Sequence, residues 1–119
     1  MSRDTVRMYH NPRCTKSRET LALLREHGVE PEIVEYLKTP LSAAEVKQLI
    51  TKLAIPPHAI LRSKESAYAE QGLNPKSTLE AIARAIEVAP VLLERPVVVV
   101  GKRAAIGRPP EKVLALIGA

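Results

Sequence analysis

Four consecutive valines, Val97 to Val100, constrain this chain more than any other feature. A strand with no polar alternation is the pattern of one buried on both faces. Such a strand belongs inside a layered α/β structure. Gly101-Lys102 follows at once. Glycine first in a two-residue loop is the type II′ hairpin pattern, so Arg103 onward is expected to pair back. Pro96 stands at the first strand position, where a missing N–H is tolerated.

The N-terminal third supplies partners for that strand. Thr5 to Tyr9 reads as a short strand, broken by His10-Asn11-Pro12-Arg13. A helix is expected from about Cys14 to His27, with Leu21, Ala22 and Leu24 on its apolar side and Gly28 as its stop. Glu32 to Tyr36 reads as another strand. Strand, helix and strand in this order make a crossover, which joins parallel strands. The expectation is an α/β chain with a four-stranded mixed sheet, strands near 5–9, 32–36, 97–100 and 103–107.

The middle of the chain is helical. Ser42-Ala43-Ala44-Glu45 is a capping box, followed by Val46, Leu49, Ile50 and Leu53 at helical spacing and closed by Pro56-Pro57. Ser77-Thr78-Leu79-Glu80 repeats the device, with Leu79, Ile82, Ala83 and Ile86 on one face and Pro90 as the stop. Residues 58–73 read as short helical turns and loop. Pro109-Pro110-Glu111 opens a last helix carrying Val113, Leu114 and Ile117. A length of 119 residues is that of one domain, 1–119, whose helical middle runs over about 42–90.

Composition narrows the function classes. The net charge is +5, but nine basic and seven acidic side chains in residues 1–60 and nine and six in 61–119 leave no charged block. With three Tyr and no Phe or Trp, the chain is poorly equipped to stack on bases, and no nucleic-acid partner is expected. A small anionic substrate explains the basic balance equally well. No apolar run approaches the ~20 residues of a membrane span, and the first residues lack a signal-like apolar core. The expected setting is a reducing cytoplasm, with no membrane partner. One cysteine excludes an internal disulfide or a cysteine-cluster metal site, and three scattered His make no metal site expected.

That cysteine is the most informative single residue. Cys14 follows a strand and a tight turn and opens a helix, where unpaired N–H groups and the dipole favour a thiolate. Arg13, Lys16 and Arg18 are close in sequence and push the same way. The bland alternative is an inert buried cysteine, which is common. Its setting among charges and turn residues favours a functional thiol. Cys14-Thr15-Lys16-Ser17 is C-x-x-S, which resembles a redox C-x-x-C with the second thiol replaced by a hydroxyl. Without a second cysteine, any redox cycle borrows an external thiol. A phosphatase-type C-x5-R is absent. His10 is either structural or a partner that lowers the thiol's pKa. His27 and His58 are read as surface residues. Arg62, Arg95 and Arg108 each sit at an element end. Each is either solvated surface or part of a planar multidentate anion clamp.

His10-Asn11-Pro12-Arg13-Cys14-x-Lys16-Ser17-Arg18 resembles the ArsC family of glutaredoxin-coupled arsenate reductases, as do four further motifs. These are Glu35-Tyr36-Leu37-Lys38-Thr39-Pro40, Leu61-Arg62-x-Lys64-Glu65, Glu94-Arg95-Pro96 and Ile106-Gly107-Arg108-Pro109-Pro110-Glu111. The resemblance implies a thioredoxin-like fold with an inserted helical lobe and a cis peptide at Arg95-Pro96. It implies Cys14 as nucleophile, His10 as the neighbour that helps keep it ionised, and Arg62, Arg95 and Arg108 as the oxyanion site. It further implies arsenate as substrate, glutathione as co-substrate, glutaredoxin as partner, and no tightly bound cofactor. Two alternatives stay open: a glutathione-dependent thiol reductase acting on another substrate, and a non-catalytic regulator of the same fold.

Overall fold

The computed structural model describes residues 5–118. Four strands, β1 (Val6–Tyr9), β2 (Glu32–Val34), β3 (Val97–Val100) and β4 (Arg103–Ile106), form one mixed sheet in the order β2-β1-β3-β4. β1 runs parallel to β2, with Arg7 opposite Glu32 and Tyr9 opposite Val34. It runs antiparallel to β3, which pairs antiparallel with β4. The valine strand is interior and buried along its whole length, as its lack of alternation requires. Gly101 has φ +59° and Lys102 does not have positive φ, which is the type II′ arrangement. β2 is shorter than expected, stopping at Val34, whose carbonyl accepts the His10 N–H at 2.9 Å.

The chain separates into two compact units, one of residues up to Tyr36 with those from Arg95 onward, the other Leu37–Glu94. In the first, helix α1 (Thr15–Glu26) begins one residue later than expected, because Cys14 is extended and acts as its N-cap. Its C-terminus is a Schellman motif. Gly28, at φ +76°, donates to the Arg25 carbonyl, and Val29 donates to that of Leu24. Met8, Leu24, Val98, Val100, Val113 and Leu116 form the core of this unit. Met8 and Val98 stand opposite each other in the β1–β3 register.

The last helix, Pro110–Ile117, is 3-10 rather than the expected regular helix. At three residues per turn, Pro110, Val113 and Leu116 align and are the buried set. The expected face of Val113, Leu114 and Ile117 assumed the longer period. The Arg95–Pro96 peptide is cis, as expected, and so is Arg108–Pro109, which the sequence reading did not anticipate.

In the second unit, α2 (Ala43–Leu53) carries the expected capping box. Ser42 Oγ accepts from Glu45 N, and Glu45 Oε1 accepts from Ser42 N. A short helix α3 (Ser66–Glu70) and then α4 (Leu79–Val88) follow, and α2 packs on α4. The second capping box differs from expectation by one residue. Thr78 is the N-cap and accepts from Ala81 N at 3.1 Å, while Ser77 Oγ accepts from Asn74 N. Glu80 is thereby turned to Lys47 and Arg84, and Leu79 is exposed rather than part of the apolar face. No helix among the described residues is long and apolar enough to cross a membrane.

Candidate active site

The loop between β1 and α1 is fixed largely by its own side chains. Cys14 N–H donates to the Asn11 carbonyl at 2.9 Å, closing a turn over Pro12 and Arg13. Asn11 Oδ1 accepts from Arg13 N at 3.0 Å. Arg18 reaches back from α1 to the Pro12 carbonyl at 3.0 Å. The turn delivers Cys14 to the N-cap position, where a side-chain acceptor normally meets the amides two and three residues on. Those amides belong to Lys16 and Ser17. The neutral thiol forms no cap hydrogen bond. As a thiolate, Cys14 is the acceptor the helix end lacks.

Burial pushes the Cys14 thiol up, but stabilisation of its anion outweighs this and leaves its pKa below the usual value. The Ser17 amide contributes most, followed by the Arg95 guanidinium and the Lys16 amide. The cationic side chain that acts therefore comes from 81 residues away, not from the local cluster. Lys16 is paired with Glu19 at 3.3 Å, and Arg18 is spent on the loop carbonyl and Thr15. Arg95 is half-buried ahead of β3. Burial opposes its charge, yet the Cys14 sulfur and the buried Tyr36 hold its pKa above the usual value. Tyr36, just past β2, is a site neighbour that the sequence reading did not single out.

His10 does not reach Cys14 directly. Its Nδ1 lies 2.6 Å from Ser17 Oγ, and the imidazole is almost wholly enclosed. Burial lowers its pKa, with Arg25 and Arg18 acting in the same direction against Glu35. A neutral imidazole supplies no positive charge to the thiolate. Arg108 is exposed, and its Nη1 donates to the Arg95 carbonyl at 2.8 Å. Arg62 belongs to the Leu37–Glu94 unit. An antiparallel bridge between Leu61 and Leu93 sets it beside Glu94, and it pairs with Glu94 at 3.2 Å and Glu65 at 3.4 Å. His58, expected at the surface, is half-buried with its Nε2 2.6 Å from the Tyr68 hydroxyl. His27 is exposed.

Solved structures share this fold. The arsenate reductase from Vibrio cholerae superposes with a TM-score of 0.89 at 43% identity, over 94% of this chain and 97% of that one. The class is thus that of thioredoxin-like proteins. Within it the chain belongs to the ArsC family, whose sequence profile matches residues 9–116. Among curated relatives, an arsenate reductase of Neisseria meningitidis is 43% identical over 114 residues, covering 94% of this chain and 97% of that protein. An uncharacterized protein, YfgD, of Escherichia coli is 50% identical over 115 residues, covering 95% and 97%.

Proposed function

We propose that this protein is an arsenate reductase in which Cys14 is the nucleophile. The observation that carries the reading is the Cys14 sulfur at the N-cap of α1, faced by two main-chain amides and the Arg95 guanidinium. The thiolate attacks the arsenic of arsenate, forming a sulfur–arsenic bond and releasing an oxygen as water after protonation. Arsenic is still pentavalent at that point. Reduction to arsenite takes two electrons, and the chain has one thiol, so glutathione supplies the rest. In the net reaction two external thiols become one disulfide, and arsenate becomes arsenite and water. Glutaredoxin returns Cys14 to the free thiol, with no tightly bound cofactor, in a reducing cytoplasm.

Arg95 binds the oxyanion and stabilises charge as it moves, in the manner of an oxyanion hole. The family motifs assign Arg108 to the same anion. His10 acts on the loop that holds Cys14. Arsenite formation from arsenate, measured with glutathione and glutaredoxin together and with each omitted, tests the reading. Both are required if it holds. Arsenite formation that needs neither, or none under any condition, contradicts it.

One observation favours a second reading. Arg62 is occupied by two carboxylates and an Nη of Arg108 by a main-chain carbonyl. If these arginines are structural, Cys14 serves a glutathione-dependent reductase of another substrate. Reduction of a glutathione mixed disulfide at a rate far above that of arsenate decides for it.

A further inference from the structure

The serine of C-x-x-S has no part in the chemistry above, yet it is fully buried. Its hydroxyl does two things. It accepts the Asn11 N–H at 3.0 Å, and it meets His10 Nδ1 at 2.6 Å. A hydroxyl has one proton to donate. With Asn11 donating to Ser17, the serine proton goes to His10 Nδ1, and the neutral imidazole carries its hydrogen on Nε2. The opposite tautomer leaves the buried serine proton with no acceptor among the described residues. Buried polar groups are rarely left in that state.

The main-chain amide of the same residue is the largest influence favouring the Cys14 thiolate. Ser17 stands three positions after the N-cap, where the amide meets the capping side chain. We propose that Ser17 is a positioning residue: its hydroxyl ties the His10 ring and the Asn11 amide to the first turn of α1, and its amide supports the Cys14 sulfur. His10 thereby acts on Cys14 through Ser17 rather than by contact. Protonating His10 puts a hydrogen on Nδ1 and forces the bond to reverse, which disturbs the amide that the sulfur depends on. The charged groups facing His10 are Glu35, Arg25 and Arg18. The inference rests on Cys14 being a thiolate nucleophile, and not on arsenate being the substrate.

Two measurements on the intact chain test it, neither using arsenate. Nitrogen NMR of the wild-type His10 ring reads the tautomer directly. The pH dependence of Cys14 alkylation in the wild type, Ser17→Ala, Ser17→Thr, His10→Ala and the double Ser17→Ala/His10→Ala variant reads the coupling. We expect Nδ1 to be unprotonated at neutral pH. Ser17→Ala should raise the alkylation midpoint by about half to one pH unit, a three- to tenfold loss of thiolate below it. Ser17→Thr, which keeps the hydroxyl, should stay near wild type, and His10→Ala should add little in the Ser17→Ala background. A hydrogen on Nδ1, an unmoved midpoint in folded Ser17→Ala, or additive shifts overturn the proposal. Should Ser17→Ala not fold, His10→Ala still decides: faster exchange of the Ser17 amide supports the coupling, and unchanged exchange overturns it. A wild-type midpoint at the ordinary thiol value contradicts the underlying reading of Cys14 instead.

Discussion

At the level of single residues, position and partner contribute separately to Cys14. Its position was legible in the sequence, because strand, turn residues and helix start are all local signals. Its cationic partner was legible only through the family resemblance. Arg13, Lys16 and Arg18 are near in sequence, but side chains in a first helical turn point outward to their own neighbours. Arg95 approaches through the sheet, and no local pattern marks it. Two outcomes follow. Arg95→Ala should raise the alkylation midpoint of Cys14, whereas Arg18→Ala should leave it nearly unmoved. Rates of alkylation against pH check both. The pKa of Cys14 is lower folded than unfolded, so the folded state binds fewer protons between the two values. Its contribution to stability is complete above the unfolded value of about 8.5 and is lost as pH falls through the folded one. His10, also lowered, adds a term present above about 6.5 and lost as pH falls through its folded value. Denaturation midpoints at pH 9, 7 and 5 should therefore decline with falling pH, and Cys14→Ser should flatten the decline at the alkaline end.

Among the elements, hydrophobic spacing identified the strands and the two long helices, and it failed where a terminus is set by geometry. Ser77 and Thr78 are both good caps in sequence, and only the Asn74–Ser77 turn decides that Thr78 takes the role. Thr78→Ala should destabilise the chain by about 0.5–2 kcal/mol, read from chemical denaturation. The 3-10 segment at Pro110–Ile117 was missed for a similar reason, since its apolar residues fit either period and packing chooses three. The approach of β4 to α1 makes a sharper case. A Cβ on Gly107 would lie 2.5 Å from Thr20 Oγ1 and 2.9 Å from Pro96 Cγ. Thr20 is buried and bonded to the Lys16 carbonyl, so it cannot swing away freely. Gly107→Ala should destabilise by roughly 1–3 kcal/mol and slow Cys14 chemistry, because Thr20 lies in α1 and Pro96 adjoins Arg95. Full stability in that variant contradicts the close packing.

For the whole molecule, the sheet brings Arg95, from a distant segment, to the Cys14 thiol at one helix start. The Leu37–Glu94 unit holds Arg62 between two carboxylates. The arginine set is proposed from the family motifs alone, since an arginine at an element end is ordinarily solvated. The central claim is that the thiolate made at Cys14 is the group that attacks arsenate. The most direct test is the pH dependence of arsenite formation by the intact chain, at subsaturating arsenate with glutathione and glutaredoxin in excess, laid over the alkylation profile of Cys14. We predict that the acid limbs coincide, with a midpoint below that of an ordinary thiol, and that Cys14→Ser forms no arsenite. Arsenite formation that ignores the Cys14 limb, or that survives in Cys14→Ser, would contradict the account.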